Sequence, residues 1–169
     1  QHERYIARQL SLFKSGERIN ALMVAFAATL SPQDMRNVGA WFASQARLPG
    51  VASDEKIPGL EESFRARGER LYRVGNVATG MPACRACHGP AGLGNPGAMF
   101  PNIGGQHADY VKARLLAFRT GEVWGKGPNA NVIMAAISRN LSDQDIDALS
   151  SYVQGLHEAE LSPDSAAAR

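Results

Sequence analysis

Cys84, Cys87 and His88 are the residues of this chain best suited to chemistry. They stand in the run Cys84-Arg85-Ala86-Cys87-His88, two thiols three apart with an imidazole directly after the second. That spacing reads as a covalent attachment site for a c-type haem. Each thiol can add to one vinyl group only if the two sulfurs straddle the porphyrin edge. The next residue is then held under the iron as its proximal ligand. Two other chemistries use paired cysteines. A zinc site needs a second pair of ligands, and the chain has only these 2 cysteines and no spaced histidine pair. A redox dithiol belongs at a strand–helix junction, and the sequence carries no strand pattern.

An iron held by His88 needs a second axial residue if it is to be six-coordinate, and a thioether opposite histidine raises the potential. The candidates after the motif are Met99, Met134, His107 and His157. A methionine is more often core filler than ligand. Met134 stands apart because Met23 occupies the equivalent place in an internal repeat. It is also expected in an irregular stretch before the last helix, where a loop can turn its side chain onto a haem face. Met99 follows His88 closely and reads as pocket lining. His107 and its repeat mate His2 fall at helix starts, and His157 reads as a surface residue.

The repeat is extensive. Gln1-His2-Glu3-Arg4-Tyr5 matches Gln106-His107-Ala108-Asp109-Tyr110, and Leu10, Phe13, Gly16 and Glu17 match Leu115, Phe118, Gly121 and Glu122. After an insertion within residues 123–130 the match resumes. Asn20-Ala21-Leu22-Met23 pairs with Asn131-Val132-Ile133-Met134, Leu30-Ser31 with Leu141-Ser142, and Trp41 with Tyr152. The second copy is preceded by a helix, the thiol motif and a Gly/Pro-rich loop, whereas nothing stands ahead of Gln1.

The elements that must position these residues read as helices. Gln1 to Ser15 has Tyr5, Ile6, Gln9, Leu10 and Phe13 at helical spacing, with Gly16 as C-cap. Ser31-Pro32-Gln33-Asp34 is a helix start, with Ser at N-cap and Pro at the first position, and the helix runs to about Arg47. Ser142-Asp143-Gln144-Asp145 starts its counterpart, with Ile146, Leu149 and Val153 on the buried face. Residues 48–60, with Pro49, Gly50, Pro58 and Gly59, read as a linker. Further helices are expected from about Leu60 to Val74 and from Asp109 to Thr120, and residues 161–169 as a frayed tail. The organisation expected is therefore all-α: a first unit over residues 1–47, the linker, and a second unit over 61–160.

Composition bounds the partners. The 169 residues carry a net charge of +2, which two propionates per haem bring close to neutral and which gives no support for nucleic-acid binding. At 44% hydrophobic the chain is globular, yet aromatics are only 7%, lean for a large core that a buried porphyrin would help to fill. No apolar run approaches a membrane span. Gln rather than Met at position 1 is expected of a processed or cut chain.

In their order, the thiol motif, Pro101-Asn102-Ile103-Gly104-Gly105-Gln106-His107-Ala108-Asp109-Tyr110, Phe118-Arg119-Thr120-Gly121-Glu122, Asn131-x-x-Met134 and Leu141-Ser142-Asp143-x-Asp145 resemble the dihaem cytochrome c4 family. The resemblance covers nearly all of residues 1–157. It implies tandem class-I cytochrome c folds packed about a pseudo-twofold axis, the first incomplete at its N-terminus here, in a periplasmic carrier that delivers electrons to a terminal oxidase of the cbb3 type or to other cytochromes. Carried over residue by residue, it makes Cys84 and Cys87 the thioether attachments and His88 and Met134 the axial ligands. Pro101 would orient His88 through a backbone carbonyl, and Tyr110, Leu115, Phe118, Ile133 and Ile137 would wall the haem. Gly68 would lie where the second unit's first and last helices cross, against Tyr152. Met23 would be the distal ligand of a first haem.

The departure is that the first copy has no thiol motif. Without a haem it would expose Tyr5, Phe13, Met23, Phe26 and Trp41, a large apolar patch, so residues upstream of Gln1 and a second haem c are expected in the native protein. With both axial positions filled, no place remains for substrate, which leaves outer-sphere electron transfer. The docking surface would be the haem edge rimmed by Pro82, Ala83 and Ala86, in a weak encounter. The alternatives are the haem subunit of a periplasmic oxidoreductase, a peroxidase-like cytochrome with a labile distal ligand, or a haem sensor.

Overall fold

In the computed structural model, which describes residues 1–127 and 130–158, the apolar spacing becomes eight α-helices. They are α1 (Glu3–Ser15), α2 (Ala21–Ala28), α3 (Pro32–Ala43), α4 (Phe64–Val74), α5 (Arg85–His88), α6 (Ala108–Arg119), α7 (Val132–Ser138) and α8 (Asp143–Gly155). No strand occurs among the described residues, only isolated bridges such as Asn95 with Phe100. The all-α class-I expectation holds.

Local sequence sets the helix ends. Gly16 adopts φ 75°, which lets its amide reach the Phe13 carbonyl and close α1. Ser31 and Ser142 each accept a hydrogen bond from the amide three residues on, while Asp34 and Asp145 reach back to the cap amide. Two full capping boxes thus begin α3 and α8. Two helices are shorter than their apolar spacing suggests, α3 stopping at Ala43 and α4 starting only at Phe64 behind its Ser63 cap. One expectation is overturned: Met134 sits within α7, and its repeat mate Met23 within α2, not in an irregular stretch. Consecutive apolar residues gave no helical period there, and Asn20 and Asn131 preceding them are the N-caps.

The repeat is visible in the packing, where α1 against α2 and α3 matches α6 against α7 and α8. Helices α4 and α5 have no counterpart in the first copy among the described residues. The main core gathers Leu71, Tyr72, Met81, Leu115, Leu141, Ile146, Leu149, Tyr152, Val153 and Leu156. At its centre α4 crosses α8 so closely that a Cβ on Gly68 would lie 2.3 Å from the Ala148 carbonyl oxygen and 2.5 Å from Tyr152 Cβ. In the first copy Gly39 allows α3 the same approach to α1, its Cβ position being 2.6 Å from the Glu3 carbonyl oxygen.

Residues 48–60 run along α8: the Gly50 amide donates to the Gln154 carbonyl at 2.9 Å and the Ser53 amide to Ser151 Oγ at 2.8 Å. Ala52 and Ile57 are buried there. Of the five side chains expected to be exposed in the first copy, Phe26 and Trp41 are, at 63% and 59%, whereas Phe13 is buried and Tyr5 and Met23 are half-buried. The tail over 161–169 lies outside the described residues.

Candidate haem site

Two thiols can share one face only if the backbone between them makes a turn of helix. Cys84 caps α5, and the His88 amide donates to the Cys84 carbonyl at 3.0 Å, so Cys84 and Cys87 sit three apart on that single turn. Both thiols are free and half-buried. Burial pushes the Cys84 thiol up to about 11, so it is protonated at neutral pH. Gly89, at φ 78°, ends the helix directly after the histidine.

His88 is buried at 7% exposure, and its Nδ1 lies 2.9 Å from the Pro101 carbonyl oxygen. A carbonyl only accepts, so Nδ1 carries the hydrogen and Nε2 keeps its lone pair. Burial pulls the imidazole pKa below its ordinary value, against the opposing effect of the Pro101 contact, and favours the neutral ring that a metal needs. The loop from His88 to Pro101 makes this contact possible. The Gly94 amide donates to the His88 carbonyl at 2.8 Å, and the Asn95 and Phe100 backbones exchange hydrogen bonds at 3.0 Å each. Any side chain on Gly94, already at φ 79°, would meet the Phe100 carbonyl oxygen at 2.4 Å. Met99 turns this hairpin at φ 60° and is half-buried. Behind the histidine, the buried Tyr72 hydroxyl donates to the Gly89 carbonyl at 2.6 Å.

Around this turn the structure brings several of the sequence candidates together. Leu115 belongs to the main core, and Cys84, Met134 and Ile137 pack against it with Ile103 and Val111, which sequence reasoning did not select. Beside the thiol motif, Ile137, Ala136 and Asn140 face Thr79, Gly80, Met81 and Pro82 across a cavity of about 210 Å³. Ile133 is exposed at 51%. Phe118 is buried on α6 with its ring 5.1 Å from that of Trp124, and the Tyr110 hydroxyl accepts from Arg18 of the first copy at 2.8 Å. His107 and His157 are exposed, whereas His2 Nε2 is buried without a hydrogen-bond partner. Two free thiols, an imidazole whose Nδ1 is satisfied and whose Nε2 keeps its lone pair, and an apolar wall form a donor set that fits haem c.

Residues 66–157, from α4 through α8, match the family model for cytochrome c. Over 157 residues the chain is 43% identical to cytochrome c4 of Pseudomonas aeruginosa strain PAO1, covering 93% of this chain and 73% of that protein. The chain belongs to the cytochrome c4 family. The crystal structure of reduced recombinant cytochrome c4 from Pseudomonas stutzeri superposes with a TM-score of 0.80 at 39% identity, over 92% of this chain and 82% of that one. A second kind of relative, the thiosulfate dehydrogenase electron acceptor of Stutzerimonas stutzeri strain A1501, is 36% identical over 92% of this chain and 68% of its own length. Membership makes the chain a c-type cytochrome with covalent haem c, an electron carrier rather than an enzyme.

Proposed function

We propose that Cys84 and Cys87 hold the haem by thioether bonds, with His88 as proximal and Met134 as distal ligand. The observation that carries this reading is the buried, neutral His88, turned by the Pro101 carbonyl 2.9 Å from Nδ1, on the same helical turn as two free thiols. Met134 is half-buried against the cluster that also receives Cys84, which supports it as the opposite ligand. Haem supplies a one-electron Fe(II)/Fe(III) couple. The chain's own residues then do three things. Pro101 holds the imidazole in one tautomer and orientation. Leu115, Phe118 and Ile137 would exclude water from the site, whereas Tyr110 and Ile133, expected in the same wall, are themselves exposed. Met134 would supply a thioether to the iron, which would raise the potential and leave no position for exogenous ligands. In the first copy, Met23 has the corresponding place for a second haem.

The carrier works in the periplasm, where covalent haem c is assembled, and among the described residues no helix is long and apolar enough to cross a membrane. Pro82 and Ala86, both exposed beside the thiol motif, would offer a docking surface to a terminal oxidase or another cytochrome that exchanges electrons with a haem held there. The likeness to a thiosulfate dehydrogenase electron acceptor favours a sulfur-oxidising dehydrogenase as one donor.

The test is the ferric absorbance band of Met–iron ligation together with CO binding to the ferrous form. Wild-type protein shows the band and does not bind CO. Met134→Ala loses the band and binds CO. Rapid CO binding by the wild type at neutral pH would replace the carrier reading with an enzyme or sensor.

A further inference from the structure

The insertion in the second copy, described at residues 123–127 and 130, carries a tryptophan that the ligand set does not use. Trp124 is only 5% exposed. Its indole meets a guanidinium from the other copy: Arg18 lies 3.6 Å from the ring centroid, with the Phe13 ring 4.6 Å away. Arg18 Nη1 donates to Gln9 Oε1 at 2.7 Å and Nη2 to the Tyr110 hydroxyl at 2.8 Å, one partner from each copy. Neither partner is a carboxylate, and the half-buried guanidinium also lies against the Phe13 and Trp124 rings, a cation–π arrangement. The Gly125 amide adds a backbone bond to the Glu17 carbonyl at 3.4 Å.

Trp124 is fastened in turn to the start of α7. Its amide donates to Asn131 Oδ1, and the Asn131 amide donates to the Trp124 carbonyl at 3.0 Å. Met134 follows three residues later on the first turn of that helix. A continuous packed path therefore joins α1 and its following turn to the segment bearing the distal ligand.

We infer that Arg18 and Trp124 are positioning residues, a clasp by which the first copy holds the Met134 segment closed over the second copy's haem. The inference rests on the assignment of Met134 as distal ligand. Loosening the clasp raises the fraction of time Met134 is off the iron, so an external ligand should compete better. A desolvated cation–π contact of this kind corresponds to about a 5- to 30-fold change in an equilibrium constant.

The experiment titrates the ferric, haem-loaded 169-residue chain with imidazole, beside far-UV melting curves. Arg18→Gln and Trp124→Leu should each raise the apparent association constant about 5- to 30-fold. Arg18→Lys, with charge but no planar stack, and Trp124→Phe, with a smaller face, should fall between these and wild type. Exposed Arg36→Gln on α3 should leave the constant unchanged. A change of less than twofold in both Arg18→Gln and Trp124→Leu overturns the clasp, as does a lowered melting midpoint with an unaltered imidazole constant. If the wild type already binds imidazole as tightly as Met134→Ala, the ligand assignment fails instead, and the clasp with it.

Discussion

Replacing Gly68 by alanine tests the crossing on which the second unit is built. The added Cβ would stand 2.3 Å from the Ala148 carbonyl oxygen and 2.5 Å from Tyr152 Cβ, where ordinary contact begins near 3.4 Å. Both obstacles belong to α8 and neither is the end of a flexible chain, so α4 and α8 must part by roughly 1 Å rather than a side chain swinging aside. Overpacking of this kind costs about 1–3 kcal/mol, and the rigid carbonyl places this case near 3. Alanine recovers ~1 kcal/mol over glycine in a helix interior. The net loss is about 2 kcal/mol, which for a chain of this size lowers the melting temperature by roughly 4–8 °C. Thermal unfolding followed by far-UV circular dichroism measures it. The shift should be accompanied by a change at the haem, because Tyr72 rests on Tyr152 at 5.5 Å and its hydroxyl reaches the Gly89 carbonyl beside His88. A variant as stable as wild type, or more so, would show that helix propensity outweighs the contact and that the crossing is loose.

Tyr72→Phe removes only the hydroxyl that donates to Gly89 at 2.6 Å, and should cost about 1 kcal/mol, read as a lower urea midpoint at unchanged slope. An unaltered midpoint would mean that water replaces the bond. Burial alone would push the Asp145 carboxyl up, but the Ser142 hydroxyl and amide and the Arg67 guanidinium outweigh it and hold it below the ordinary value. Its stabilisation is thus complete above the unfolded carboxylate pKa of ~3.9 and is lost as pH falls through the lower folded value. Asp145→Asn should cost about 2 kcal/mol at neutral pH. The gap between its unfolding midpoint and that of wild type should narrow below pH ~4, and a constant gap from neutral to acid pH would contradict the shift.

Local features were legible in the residues because their causes lie within a few positions. The Ser-x-x-Asp boxes that start α3 and α8 and the glycine that ends α1 each act over one turn. The Cys84-Arg85-Ala86-Cys87-His88 run likewise makes its own turn of helix. The repeat extended this reach, since the same pattern written twice pointed to Met134 through Met23. It did not give their local structure, because an unbroken apolar run has no period, and both methionines lie on short helices.

What the sequence determined by itself is the chemistry on offer: two thiols and a histidine at the spacing that haem c demands, and a repeated Asn-x-x-Met. What only the tertiary structure decided is how that chemistry is held. Ile103 and Val111 pack against the main core, Tyr72 braces Gly89, and Arg18 of one copy lies on Trp124 of the other, contacts between residues separated by tens to about a hundred positions. A cap or a turn is specified by backbone geometry over a few bonds. A stacked guanidinium is specified by where two helices come to rest, which depends on the packing of the whole chain.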